Sequence, residues 1–344
     1  MRKLFLFLVI VTLSAFPVTK EEDILGSTSS ESREREEESR SDEKEKSESI
    51  LFLGDIMLGR HVETIGKKEG FHTLFAPLSP LFASSTYVVG NLEGAAPKVH
   101  EKTPSGGFRF SFNDDALKAL SSHRITGVSL ANNHSSDTGQ DGYEETVRKL
   151  SELSISSFGH SLFFKKNYIT MRVGSMDISV AGVNLITPSF KEREVISSIK
   201  ELCEEVKGGA LIIFIHAGDE YETIQSDYQV RFSRKLIDET CVRTIIGSHP
   251  HVVQGIEEYK GKYIFYSLGN FIFDQYFSKE TMEGLILKVE ESNNKLIFTL
   301  LPTSSEKSTP YLAEGANREQ ILQRIAGASS PELKLSILYG IIYE

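Results

Sequence analysis

Tryptophan is absent, which by itself excludes nothing, and cysteine is nearly absent. Of 344 residues only Cys203 and Cys241 carry a thiol. They do not form a CxxC pair, and neither lies beside the polar clusters described below, so a disulfide framework is not expected. The two could form one bridge in an oxidising compartment; the sequence slightly favours two buried free thiols. Excess positive charge is also missing. With 38 Lys and Arg against 48 Asp and Glu, the formal net charge is −10, which argues against generic binding to nucleic acid. No internal repeat is visible. What is present is ample apolar material, 40% of the chain. That is enough for a buried core in one large domain or two ordinary ones.

The chain opens "MRKLFLFLVIVTLSAFPVTKEED". Arg2 and Lys3 precede a run from Leu4 to Phe16 that is apolar apart from Thr12 and Ser14. This is the layout of a secretory signal. The run is short for a spanning helix, which needs roughly 20 apolar residues. A small-x-small cleavage site is lacking because Leu13 and Phe16 intrude, so an uncleaved anchor stays open. No cysteine follows the run, so bacterial lipidation is not supported. Residues 1–19 are therefore read as a signal peptide or N-terminal membrane anchor. The expected location is the periplasm or cell envelope, at the inner membrane if the segment is retained. Residues 20–49 include "SSESREREEESRSDEKEKSES", Ser29 to Ser49, with no apolar residue. Such a tract cannot bury enough surface to offset its ordering entropy, and a disordered linker is expected.

Ordered structure is expected from Ile50. Short apolar runs such as "ILFLGD", "TYVVGN", "ITGVSLA", "ALIIFIH" and "VRTIIGS" read as strands. Between them lie amphipathic stretches such as "NDDALKALSSH" and "SDYQVRFSRKLIDET", which read as helices. "GIEEYKGKYIFYSLGN" and "LILKVEESNNKLIFTLLP" read as hairpins, and the tail from Asn317 as mostly helical. Alternation that ends in hairpins implies an α/β core with mixed sheets.

The polar residues gather just after the predicted strands: Asp55; Asn91 and Glu93; Asn132, Asn133 and His134; His216, Asp219 and Glu220; His249 and His251; Asn270 and Asp274. In open α/β sheets ligands bind at strand ends. Carboxylate, asparagine oxygen and imidazole together suit zinc, manganese or iron. In "HPH", alternate side chains of an extended segment share a face, so His249 and His251 can address one cavity. Alone, most of these clusters read as turns or structural residues, "NNH" reads equally as turn or site, and "HPH" slightly favours a metal. A shared cavity is the reading that accounts for all of them, because unpaired buried polar groups would each cost about 1–3 kcal/mol.

The stretches "GDIMLGR", "GNLEG", "FRFS", "SLANNHSSDTGQDG", "HAGDEY", "IGSHPHVVQGIEEYKGKYIFYSLGNFIFDQ" and "LILKVE" occur in an order that resembles the CapA family. These are poly-gamma-glutamate capsule-biosynthesis proteins of the metallophosphatase superfamily. The resemblance covers about Ile50 to Thr303. It implies a four-layer α/β/β/α sandwich with two mixed sheets over residues 50–303; the remainder, 304–344, is read from its own sequence as a C-terminal helical extension packed on the domain. The resemblance also implies one or two divalent metal ions, Mn, Fe or Zn. By the same resemblance Asp55 is the first carboxylate of one metal and Glu93 the bridging carboxylate. Asn133, His216 and His249 are ligands of the second metal, and His251 returns to the first. His134 is the non-ligand histidine that acts on the leaving group or developing oxyanion. Phosphatases usually carry Asp-x-His in the first motif. Here Asp55 is followed by Ile56 and Met57, so the first metal would lose a ligand: it binds weakly, recruits Asn91, Asp219 or another neighbour, or is missing.

The function expected from these residues is metal-assisted hydrolysis of a phosphoester or gamma-glutamyl amide in an anionic cell-envelope substrate. An anionic polymer or a phosphorylated small molecule would fit. Arg60 and Arg109 could orient the anion. Asn91, Asn132, Asn270 and Asp274 could steady the ligands. Polymer-synthesis membrane proteins are the expected partners. The rival expectation is a non-catalytic, metal-containing subunit that binds, exports or anchors the polymer, and the missing histidine favours it.

Overall fold

The apolar run that opens at Ser49 is a strand whose successive side chains enter two different cores. In the computed structural model, which describes residues 48–104, 106–187 and 191–344, Ile50 and Phe52 face one core, and Leu51 and Leu53 the other. The N-terminal signal or anchor and nearly all of the charged linker lie outside the described residues.

The chain runs β1 (Ser49–Ile56), α1 (Arg60–Glu69), α2 (Ser79–Ala83), β2 (Tyr87–Leu92), α3 (Asp114–Ser122), β3 (Gly127–Ser129), α4 (Gly139–Glu152) and β4 (Ser156–Phe158). It continues through β5 (Tyr168–Val173), β6 (Met176–Asn184), α5 (Glu192–Glu205), β7 (Ala210–His216), α6 (Asp227–Glu239) and β8 (Val242–Ser248). Then follow β9 (Ile256–Tyr259), β10 (Lys262–Phe265), β11 (Asn270–Ile272), β12 (Glu283–Ser292), β13 (Lys295–Glu306) and β14 (Thr309–Leu312). The chain closes with α7 (Gly315–Gly327), α8 (Lys334–Tyr339) and β15 (Ile341–Tyr343).

Two mixed sheets result. One is ordered β14-β13-β12-β1-β2-β3-β4, with β11 joined to β1 and β15 to β13; the other is ordered β5-β6-β7-β8-β10-β9. Their inner faces share one core, in which Phe52 meets Phe214 edge-on with ring centroids 6.1 Å apart. The outer face of the first sheet packs on α1, α3 and α4 through Val62, Leu117, Leu120 and Leu150. The outer face of the second packs on α5 and α6 through Ile199, Leu202, Phe232 and Leu236. The architecture is the expected α/β/β/α sandwich. "ALIIFIH" is apolar at consecutive positions because β7 is covered on both faces.

Local chemistry fixes the helix starts. The Asn113 side chain accepts from Ala116 N at 2.9 Å, and Ser226 and Gln229 form a capping box on α6. The segment after residue 303 carries strand as well as helix. β14 and β15 both pair with β13, while Ile321, Leu322, Ile325 and Ile337 join the inter-sheet core.

The cysteines correct the sequence reading. Cys203 and Cys241 form a disulfide, with Cα atoms 5.8 Å apart, and Cys241 is exposed. The pairing follows from the layering, since α5 and α6 lie on one face and the end of α5 meets the residue that enters β8. Closing a loop across a separation of 38 residues stabilises the fold by up to about 4 kcal/mol in the chain-entropy treatment. Reductant should therefore lower the urea midpoint of the wild-type chain and leave a Cys203→Ala, Cys241→Ala variant unmoved. A wild-type midpoint indifferent to reductant would contradict the bridge.

Candidate metal centre

Register brings the polar clusters to one place. Asp55 lies opposite Asn91 on β2 and Asn270 on β11, Asn91 lies opposite Ser129, and His216 lies opposite Ser248. The strands β1, β2, β3, β7 and β8 thus end together. Gly54 permits this convergence, because a Cβ there would stand 1.9 Å from the Gly269 carbonyl oxygen.

Two groups of candidate ligand atoms share the cavity. Asp55, Glu93 and His216 form one, with atoms within 4.8 Å of one another; Glu220, His249 and His251 form the other on the same measure. Asn133 Oδ1 lies 2.8 Å from His216 Nε2, which lies 3.1 Å from His249 Nδ1. His251 Nδ1 lies 3.3 Å from Asp55 Oδ2, and its Nε2 lies 3.8 Å from Glu93 Oε1. Met57, at the position of the missing histidine, is buried in the outer core, and its sulfur accepts a hydrogen bond from Gly59 N.

The "HPH" segment meets the expectation of one cavity by a different route. It is a bend rather than an extended segment, with φ of 98° at His249 and 60° at His251. Positive φ at a non-glycine residue costs on the order of 1–3 kcal/mol and clusters at functional sites. Asp55 helps to hold the bend by accepting from His249 N at 3.2 Å.

A chain of amides stands behind the ligands. The Asn132 side chain donates to Asn91 Oδ1 at 3.0 Å and to the Leu92 carbonyl at 2.9 Å; Asn91 donates to Asp55 Oδ1 at 2.8 Å. Asn270 Oδ1 lies 3.0 Å from His251 Nδ1, and Ser248 Oγ lies 2.9 Å from His216 Nδ1. Partners of this kind fix ring orientation.

The electrostatics suit a cation. Both carboxylate oxygens of Glu93 are buried without a hydrogen-bond partner. Burial pushes its pKa up to about 7, with Asp55 adding to the rise and His251 and His134 opposing it. Burial and the neighbouring His249 and His251 hold His216 well below the usual imidazole range. Burial, helped by His251, brings His249 down to about 3. Both imidazoles are therefore neutral, the form that ligates metal. His251 is driven the other way, to about 9, because Glu93 and Asp55 outweigh its burial. An oxygen and imidazole donor set around an orphaned carboxylate fits a divalent transition metal.

His134 is outside both ligand groups. Its Nδ1 lies 2.7 Å from Asp137 Oδ2, its ring stacks on Phe110 with centroids 4.0 Å apart, and its Nε2 lies 3.8 Å from Glu93 Oε1. Burial pulls its pKa down, but the Asp137 hydrogen bond and the Glu93 charge leave it raised. Asp137 also accepts from Phe110 N at 2.7 Å. The sequence reading gave Asp137 no role; its signal was the three-residue spacing from His134 in a turn.

Arg60 is held in a buried ion pair with Asp274 and lies 4.8 Å from the Phe110 ring centroid. Arg109 is exposed, donates to the Asp137 carbonyl at 2.9 Å, and lines a cleft of about 500 Å³ with Lys102, Thr103 and Phe108. Asp219 is exposed and belongs to neither ligand group among the described residues. Asp274→Ala would strand a buried guanidinium, so we expect a loss of about 3–5 kcal/mol in denaturant unfolding. Arg60→Met with Asp274→Ala should recover much of it; an unchanged midpoint in the single variant would contradict the buried pair.

The profile of the bacterial capsule synthesis protein PGA_cap family matches residues 49–275. The chain belongs to this family. The PGA_cap match contains all the candidate ligands. The PGA biosynthesis protein CapA of Bacillus subtilis (strain 168) is 31% identical over 277 residues, covering 76% of this chain and 73% of that protein. The capsule biosynthesis protein CapA of Bacillus anthracis is 28% identical over 282 residues, covering 76% and 68%. Among solved structures, a hypothetical protein from Thermus thermophilus aligns with a TM-score of 0.45 at 17% identity, covering 77% of this chain and 99% of that one. The calcineurin-like phosphoesterase YfkN from Bacillus subtilis aligns with a TM-score of 0.39 at 13% identity, covering 85% and 98%.

Proposed function

We propose that this protein is an exported, metal-dependent hydrolase of capsule and poly-gamma-glutamate biosynthesis, acting on an anionic cell-envelope substrate. The observation that carries this reading is Glu93, a fully buried carboxylate with both oxygens unpartnered, placed between His251 and His134. The names of the Bacillus relatives support the pathway. The Cys203–Cys241 bridge supports export, because such bridges persist in oxidising compartments. Among the described residues no helix is long and apolar enough to cross a membrane.

Asp55, Glu93, Asn133, His216, His249 and His251 would hold one or two ions. A divalent ion there supplies Lewis-acid polarisation of a phosphoryl or carbonyl oxygen and a lowered water pKa. Asn91 and Asn132 hold Asp55 in place, and Ser248 and Asn270 orient the histidines. His134, oriented by Asp137, offers a proton at Nε2 to the leaving group. Arg109, which donates to the carbonyl of Asp137 beside His134, brings positive charge for an anionic substrate near the centre. Purified protein loaded with manganese, zinc or iron should cleave phosphodiesters or gamma-glutamyl peptides; cleavage of neither class with any of the three would overturn the hydrolase reading.

A second reading has its own observation. Met57 turns its sulfur onto Gly59 N and offers nothing to the cavity. A site short of one ligand fits a non-catalytic subunit that binds, exports or anchors an anionic polymer, in company with membrane proteins of polymer synthesis. Polymer binding without turnover by metal-loaded protein would favour it.

A further inference from the structure

Resting on the reading of this cavity as a metal centre, we propose that Glu220 is the metal ligand that stands in for the first-motif histidine missing at Met57. The shortfall is concrete. On the division of ligands that the family resemblance implies, Asp55, Glu93 and His251 offer three side chains to one ion, whereas Glu93, Asn133, His216 and His249 offer four to the other. Three side chains and a water complete a catalytic zinc site, but manganese takes a larger, oxygen-rich set, so a further carboxylate matters most for manganese. The first-motif loop cannot make up the difference, because Met57 is fully buried and spent on its own backbone.

Glu220 reaches the same place from the opposite wall. It follows β7 by four residues and groups with His249 and His251 to within 4.8 Å between ligand atoms. The next residue pins it there. Tyr221 N donates to the Pro250 carbonyl at 2.8 Å, inside the bend that carries both histidines. The Tyr221 ring lies near-parallel to His251, with centroids 6.1 Å apart, and its hydroxyl accepts from Gln275 Nε2 at 3.2 Å. The orphaned carboxylate that marks the cavity borders this group: Glu93, buried and without a hydrogen-bond partner, lies 3.8 Å from His251 Nε2. Glu220 is exposed, whereas the two histidines it groups with are buried.

The exchange of imidazole for carboxylate has a chemical consequence. A set of Asp55, Glu93, Glu220 and His251 is oxygen-rich, and oxygen ligands suit manganese better than softer, nitrogen-rich sets do. This position should favour zinc over manganese by less than the Asn133, His216 and His249 position, which keeps two imidazoles.

The full chain, stripped by chelator and titrated with manganese alone, tests the assignment by metal content and electron paramagnetic resonance. Wild type should take up two ions and show a spin-coupled pair. Glu220→Ala should keep one ion, bind the second more weakly by at least the roughly 10–100-fold that loss of an outer-shell partner costs, and lose the coupled signal. Because Glu220 is exposed, the metal-free unfolding midpoint of the variant should match wild type, which separates ligand loss from misfolding. Two ions at wild-type affinity in Glu220→Ala would overturn the assignment and leave the metal centre standing. So would a wild type that binds a single ion with the affinity of the variant. A wild type that binds none would overturn the metal centre and the Glu220 assignment together.

Discussion

Replacing His134 with alanine should leave bound metal unchanged and lower hydrolysis by about 10²–10⁴-fold, the usual contribution of a positioned general acid. His134 is outside both ligand groups, so the metal has no direct call on it. Its geometry is that of a proton donor. Asp137 holds Nδ1 at 2.7 Å, Phe110 fixes the ring plane, and Nε2 points to within 3.8 Å of Glu93 Oε1. Asp137→Asn should lose less, because the amide still fills the space while the charge that favours the protonated ring is gone. Metal content and turnover measured on the same preparations decide the matter. Loss of metal in His134→Ala would make the residue a ligand. Full activity would remove it from the chemistry.

Glu93→Gln should show opposite signs in metal binding and in stability. Glutamine keeps the shape of Glu93 and removes the charge that both ions would share, so metal uptake should collapse. Measured without metal at pH 8, above the value of about 7 to which burial pushes this carboxylate, the variant should be more stable than wild type. It removes a carboxylate whose burial outweighs the attraction of the neighbouring His251 and His134, a net burden of about 1–3 kcal/mol. A site kept strained for function gains stability when the function is removed. Retained metal would displace Glu93 from the centre; lower metal-free stability would show that its oxygens have partners.

Much of this was legible in the sequence, for a physical reason. A strand covered on both faces must be apolar throughout, so the polar residues that follow "ILFLGD", "YVVGN", "IIFIH" and "IIGS" stand out at the strand ends. Parallel strands then carry those ends to one side. The hairpins at Lys260–Gly261 and Asn293–Asn294 were legible from their turn residues, both asparagines and Lys260 having positive φ. The short strands β4, β11, β14 and β15, of three or four residues, were not, because they are too short to show a period and form only where a neighbour offers an edge. The Cys203–Cys241 bridge depends on two helices sharing a face, which no local pattern encodes. Asp137 was hidden for a related reason, and Glu220, though it stood among the polar residues after β7, was given no ligand role. A polar residue in a turn looks the same whether it faces water or a histidine across the cavity, and only the fold shows which.

The metal content of the purified full chain is the most direct test of the centre. Wild type should carry one or two equivalents of a divalent transition metal, and His249→Ala with His251→Ala should carry less than half as much at an unchanged far-ultraviolet spectrum. Wild type without metal after reconstitution with manganese, zinc and iron, or a double variant that keeps its full complement, would contradict it.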